Sequence, residues 1–357
     1  MRGIFDGGWA GRYQNPRMTA SENFFKSRRA VGLWLLAVAL VILGMVTIGG
    51  LTRLTGSGLS ITEWKPIMGA LPPLNDAQWA DAFAKYQRIP QYIVQNHGMS
   101  LEGFKGIFWW EWTHRLLGRL LGVVFFVPFV WFAAVGAIQR SEWPRMLLLF
   151  ALGGLQGLIG WWMVSSGLEV RTSVSQYRLA IHLGAALLLL VAILWIALEY
   201  LRGGEGRGNA RRGFSFVVLV YFQMLLGALV AGLHAGLIYN TWPDMNGGVF
   251  PEDPFFSAPW WINFFENPGL AQFDHRIGAY VVAAVAAFIT VSSFKLSGNA
   301  KASGKAVGII TAIQIFLGVV TLMMQAPEGL AALHQVTAAL LLCVAVWHAY
   351  ELRISAR

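Results

Sequence analysis

Eight apolar runs, each about 20 residues long, divide this chain of 357 residues. A helix needs roughly that length to cross the ~30 Å hydrocarbon core of a bilayer. Lipid offers the backbone no hydrogen bonds, so such runs must satisfy their own N–H and C=O groups as helices. They lie at Val31–Leu51, Leu116–Ala137, Met146–Ser165, Leu179–Leu201, Phe214–Leu233, Ile277–Phe294, Ala306–Met324 and Leu330–Ala349. Only 13% of residues are charged and the mean hydropathy is +0.55, whereas a soluble domain carries roughly 25% charged residues. The sequence predicts an all-α integral membrane protein with eight transmembrane helices.

The net charge of +9 raises the question of a nucleic-acid partner, and its distribution answers it. With eight spans, both termini share one side with the loops near residues 140–145, 202–212 and 295–305. That side holds 17 Lys/Arg against 6 Asp/Glu, and the other 10 against 12. Cytoplasmic loops are the ones enriched in Lys and Arg, so both termini are expected in the cytoplasm. No basic-aromatic surface suggests nucleic-acid binding. The basic flank ending at Arg29 resembles that of a signal peptide, but the following run is too long and lacks a small-residue cleavage site; a retained helix is expected. The single cysteine, Cys343, excludes an intrachain disulfide and a thiolate cluster, and reads as a packing residue.

A weak internal repeat relates residues 31–201 to 214–350. GLSITEWKP (Gly58–Pro66) pairs with GLIYNTWPD (Gly236–Asp244), and WTHRLLG with FDHRIGA. GLQGLIGWWMVSSG (Gly154–Gly167) pairs with AIQIFLGVVTLMMQ, setting Gln156 over Gln314 and Gly160 over Gly318. Four spans per half is an even number, so the copies insert in one orientation, related by an axis along the membrane normal. The expected organisation is a cytoplasmic segment 1–30, a four-helix bundle 31–201, a cytoplasmic linker 202–213, a pseudo-symmetric bundle 214–350 and a tail 351–357. Two long outer loops are expected. The first carries a short helix capped by Asn75, with Gln78 completing a capping box; the second, rich in Pro and Trp, forms an interfacial cap.

Four histidines occupy matching places in the halves: His114 (WEWTHRLLGRLLG), His182 (YRLAIHLGAALLLL), His275 (AQFDHRIGAYVVA) and His334 (AALHQVTAALLL). Each falls at the outer end of an even-numbered span. Ionisable groups at membrane depth are costly unless paired, solvated or bound to a metal. A haem with two axial imidazoles needs ligands from two facing helices, and these pairs supply that twice. Gly118 and Gly278, soon after His114 and His275, are expected to let a flat macrocycle approach the backbone. Arg115 and Arg276 suit bidentate pairing with haem propionates, or simple snorkelling to the interface. Glu111, three residues before His114, shares its helical face and is answered in the second half by the neutral Gln272. That difference suggests one reactive site and one electron-transfer site, with Glu111 moving protons or orienting water. His97, His234 and His348 have no comparable placement.

Three stretches carry a family resemblance: GGLTRLTGSGLSITEWKPIMGALPP (Gly49–Pro73), WWEWTHRLLGR (Trp109–Arg119) and FDHRIGAY (Phe273–Tyr280). Over about Val31–Tyr350 the chain resembles the haem A synthase family in its mitochondrial and alphaproteobacterial form. The resemblance implies a cell inner-membrane enzyme that oxidises the C8 methyl of haem O to a formyl group by successive hydroxylations, giving haem A for cytochrome oxidase. It implies that His275 and His334 ligate a bound haem b, with Arg276 beside them. His114 and His182 would frame the substrate haem, with Arg115 beside them and Glu111 as the catalytic carboxylate. Electrons would leave the substrate site through haem b to an electron-transfer partner, and a haem O synthase would supply the substrate. Some bacterial members carry a cysteine pair in the first outer loop; this chain has none, so no thiol step operates here. A dihaem cytochrome b-type electron-transfer protein is the alternative. A transporter of parallel repeats would need charged or broken helices at mid-membrane, and the span centres are apolar. Gly-rich faces such as Gly153–Gly160 suit bundle packing or homo-oligomerisation in membrane lipid.

Overall fold

A computed structural model describes residues 27–203 and 210–355. Among them, eight helices are long and apolar enough to cross a membrane: α1 (Arg28–Leu54), α2 (Leu101–Ala134), α3 (Trp143–Ser165), α4 (Gln176–Arg202), α5 (Ala210–Gly232), α6 (Pro268–Ser293), α7 (Gly298–Met323) and α8 (Glu328–Ile354). Their starts follow ordinary capping chemistry. Ser27 Oγ accepts from the Ala30 amide, Ser100 Oγ from that of Gly103, and Asn267 Oδ1 from those of Gly269 and Leu270, each relieving donors that have no partner within the helix.

The helices overrun the boundaries expected from hydropathy. α1 begins before residue 31, α4 runs through Arg202, α5 begins at Ala210 and α8 ends at Ile354. The expected linker is therefore helical at Arg202 and again from Ala210; its residues 204–209 lie outside the described residues, as do 1–26 of the N-terminal segment and 356–357 of the tail. The largest overrun is α2, which starts 15 residues before its apolar run. Its extension packs Phe104 and Phe108 against Trp79 and Tyr86 of a short helix, Asp76–Tyr86. Asn75 caps that helix through the Gln78 amide at 3.0 Å, and Gln78 Oε1 returns to the Leu74 amide at 2.7 Å. The return bond lands one residue earlier than a standard capping box puts it.

Helix contacts close into two rings, α1–α2–α3–α4 and α5–α6–α7–α8, joined where α4 meets α5 and α8 meets α1 and α4. One apolar core runs through the junction, with Leu35, Leu187, Leu190 and Ile193 on one side and Val220, Leu342, Ala345 and Val346 on the other. Cys343 packs against this core. Gln335 of α8 donates to the Val46 carbonyl of α1 at 2.7 Å. On the short-loop face, arginines and glutamates from different helices interlock: Arg28–Glu142, Arg145–Glu199, Arg353–Glu199 and Arg202–Glu351.

The rings differ at one seam. α6 and α7 pack closely, with Gly304 against Ser293 and Gly308 against Thr290. α2 and α3 touch far less. Phe125 and Phe126 meet Phe150 across their interface, while Gly122, Gly153 and Gly154 face open space. Helices approach as closely as their interfacial side chains allow, so the aromatic residues keep this seam apart.

Candidate functional site

His275 of α6 and His334 of α8 face one another with ring centroids 6.4 Å apart and planes at 83°. Two imidazole nitrogens about 2.0–2.1 Å from one shared metal would set their ring centres roughly that far apart. In the first ring, His114 of α2 and His182 of α4 occupy the corresponding places in the repeat. Among the described residues no cluster of three or more His, Cys, Asp or Glu is placed to hold a metal ion. Two imidazoles alone do not complete a tetrahedral or octahedral shell. They do complete the shell of an iron that arrives with four porphyrin nitrogens. The His275–His334 pair therefore fits haem.

Each histidine abuts a glycine on the preceding, odd-numbered helix. A Cβ would stand 3.0 Å from His114 Nε2 at Gly49 of α1, and 3.0 Å from His182 Cε1 at Gly160 of α3. At Gly227 of α5 it would stand 3.1 Å from His275 Cε1, and at Gly318 of α7 2.8 Å from His334 Cε1. A Cβ at Gly318 would force a shift, and at the other three the ring would have to give by a few tenths of an ångström. The expectation that Gly118 and Gly278 accommodate the macrocycle takes a different form here: Gly118 faces Met45, and Gly278 receives the side chain of Gln223.

Glutamines hold the second pair. Gln223 Nε2 donates to the His275 carbonyl at 2.8 Å and lies 3.0 Å from His275 Nδ1. Gln314 Nε2 lies 3.3 Å from His334 Nε2. His182 Nδ1 and His334 Nδ1 are buried without partners, as is Gln156 Oε1. Buried polar atoms of this kind normally find partners, so the site fits a group that adds polar and metal contacts. The sequence signal for these contacts is Gln-x-x-x-Gly, as QGLIG (156–160), QMLLG (223–227) and QIFLG (314–318). One helical turn puts Gln and Gly on a single face. Sequence reasoning aligned the first and last of these without assigning them a role.

Glu111 is 3% exposed, so it is not a solvated interfacial carboxylate. Its Oε2 accepts from Ser60 Oγ and the Ile61 amide, both at 2.8 Å, and its Oε1 accepts from Arg115 Nη2 at 2.6 Å and Nε at 3.1 Å. Arg115 also donates to the carbonyls of Ile61 and Glu63, and Arg119 to those of Lys65 and Pro66. In the second ring, Arg276 donates to Gln272 Oε1 at 2.9 Å and to the carbonyls of Tyr239, Thr241 and Asp244. Ile61 and Glu63 align with Tyr239 and Thr241 in the repeat, so both arginines clamp equivalent loop carbonyls. Most of their hydrogens are thereby engaged; Arg276 Nε is buried and unpartnered. The Thr241 hydroxyl and Gly247 amide hold the Asp244 carboxyl below the usual carboxylate range. The first site pairs its arginine with the carboxylate of Glu111, whereas at the matching place Arg276 has the neutral amide of Gln272.

His97 is exposed on its loop, beside Tyr92. His234 sits in a left-handed turn after α5. His348 is buried near the short-loop face, with Nδ1 2.9 Å from Ser303 Oγ.

The model of a family described as cytochrome oxidase assembly protein (COX15-CtaA) matches residues 32–346. The chain belongs to this family. Its relatives include the heme A synthase of Parvibaculum lavamentivorans, 47% identical over 340 residues that cover 94% of this chain and 98% of the relative. The heme A synthase of Brucella anthropi is 49% identical over 329 residues, covering 90% and 92%. That of Allorhizobium ampelinum is 49% identical over 340 residues, covering 93% of each. The family match runs from α1 into α8 and so takes in both histidine pairs and both arginine clamps.

Proposed function

We propose that this chain is a haem A synthase, an oxidoreductase that converts the C8 methyl of haem O to a formyl group. The observation that carries the reading is the asymmetry between two otherwise matched sites: Glu111 with Arg115 in one, Gln272 with Arg276 in the other. Methyl to formyl is a four-electron oxidation that adds one oxygen, and each hydrogen removed from carbon needs a proton acceptor. The first site alone has a buried carboxylate one helical turn from its histidine.

In this reading His114 and His182 hold the substrate haem, and His275 and His334 hold a resident haem b. When bound, haem b supplies one-electron redox chemistry. The protein's part is to orient and to shield. Four glycines let the backbone of α1, α3, α5 and α7 come close to the imidazoles. The arginine clamps draw the two long loops over the histidine ends of the bundles and limit water there. Glu111, whose Oε2 is bonded to Ser60 and Ile61, is the group that takes the proton. Propionates at this edge would meet Arg276 Nε and the remaining Nη1 hydrogen of Arg115. The basic short-loop face supports an inner-membrane orientation with both termini cytoplasmic.

The repeat itself supplies the test variant. Gln272 keeps its arginine clamp as an amide, so Glu111→Gln should fold and retain its loop. With purified protein, conversion of haem O should fall by about 10²–10⁴-fold, the range for loss of a general base, while haem b stays bound. Normal turnover by Glu111→Gln would remove the carboxylate from the mechanism. His334→Ala should lose the low-spin haem b spectrum.

A further inference from the structure

The four odd-numbered helices share a pattern with one exception. α3, α5 and α7 carry glutamine four residues before the glycine that meets a histidine, whereas α1 carries methionine in MVTIG (Met45–Gly49). The exchange occurs at one equivalent point in the fold. Gln223 stands over Gly278, three residues after His275, and Met45 Cε stands 3.6 Å from a Cβ at Gly118, four residues after His114. Gln223 reaches the Nδ1 of its histidine. A thioether is at most a weak acceptor and donates nothing, and among the described residues no side chain hydrogen-bonds to His114; the glutamine contacts are those of His275 and His334, while Gln156 makes none to His182. The ring of His114 is also turned. It presents Nε2 to its glycine, whereas His182, His275 and His334 present Cε1.

We propose that Met45 is a positioning residue that keeps His114 untethered, making the first site's iron position on the α1–α2 side exchangeable toward a small uncharged ligand. The glutamine at the matching place holds His275 rigid, so the second site stays closed and suited to electron transfer. This inference rests on the reading that the first ring binds a haem. It adds a cause for the difference between the sites that is independent of Glu111: an untethered His114 in the first ring where the second has His275 held by Gln223. Met is unbranched and of similar length to Gln, so it can fill the same place between α1 and α2 without the hydrogen bond.

The test uses the purified full-length protein, reduced and loaded at the first site with iron protoporphyrin, and follows carbon monoxide binding optically. Wild type should bind carbon monoxide at one haem per chain. Met45→Gln should bind it about two- to tenfold more weakly, as one added hydrogen bond to the imidazole would give, and Met45→Leu should behave as wild type. The reciprocal Gln223→Met should open the second site to carbon monoxide, which keeps the inference testable if Met45→Gln fails to fold. Equal binding by wild type, Met45→Gln and Met45→Leu, or a second site still closed in Gln223→Met, overturns the role of Met45 and leaves the haem sites standing. If wild type takes up no second haem at all, the site reading itself falls, and this inference with it.

Discussion

Gly318 makes the closest approach to a histidine, with a Cβ there 2.8 Å from His334 Cε1. Gly318→Ala should push the imbalance onto the ring and not the backbone. The low-spin haem b spectrum is expected to be lost or shifted at a stability cost of about 1–3 kcal/mol, the usual range for overpacking. Gly329→Ala, in the first turn of α8 where a Cβ meets nothing, is the control and should leave the spectrum unchanged. At this scale the sequence was legible wherever the repeat doubled a residue. His114, His182, His275 and His334 could be picked out because each has a counterpart, and Glu111 because its counterpart differs. Spacing reveals only intrahelical neighbours, so it does not mark Gly49, Gly160, Gly227 and Gly318, which lie one helix away from their histidines. The arginine clamps were equally hidden. Arg115 and Arg276 bind loop carbonyls, which every residue has, so no side-chain pattern marks them.

Hydropathy reads the lipid-facing part of a helix and stops where amphipathic packing takes over. The eight spans were therefore legible, but the extension of α2 from Leu101 was not, since its partners are Trp79 and Tyr86 on a surface helix and not lipid. The same blindness hides which spans pack tightly. The α6–α7 seam is zipped by Gly304 and Gly308 against Ser293 and Thr290, and Thr290 Oγ1 also bonds the Gly304 carbonyl at 3.3 Å. The α2–α3 seam has Phe150 and its aromatic neighbours instead. Gly308→Leu should prise α7 from α6, costing about 1–3 kcal/mol. It should lower the temperature at which detergent-solubilised protein loses its haem b spectrum. An unchanged midpoint would mean that this seam does not hold the second ring together.

For the molecule as a whole, the two rings share one core and are tied by Gln335 to Val46, so the sites are held in fixed relation within a single packed body. The account gives them unlike tasks: a carboxylate and an untethered histidine in the first ring, an amide and a held histidine in the second. The most direct test is the identity of the haems the purified protein carries, separated by acid extraction and chromatography for wild type and Glu111→Gln. The account predicts haem B in both, accompanied by haem O and haem A in wild type and by haem O without haem A in Glu111→Gln. Haem B alone at two sites in both proteins would contradict it and would mark the chain as a dihaem electron-transfer protein.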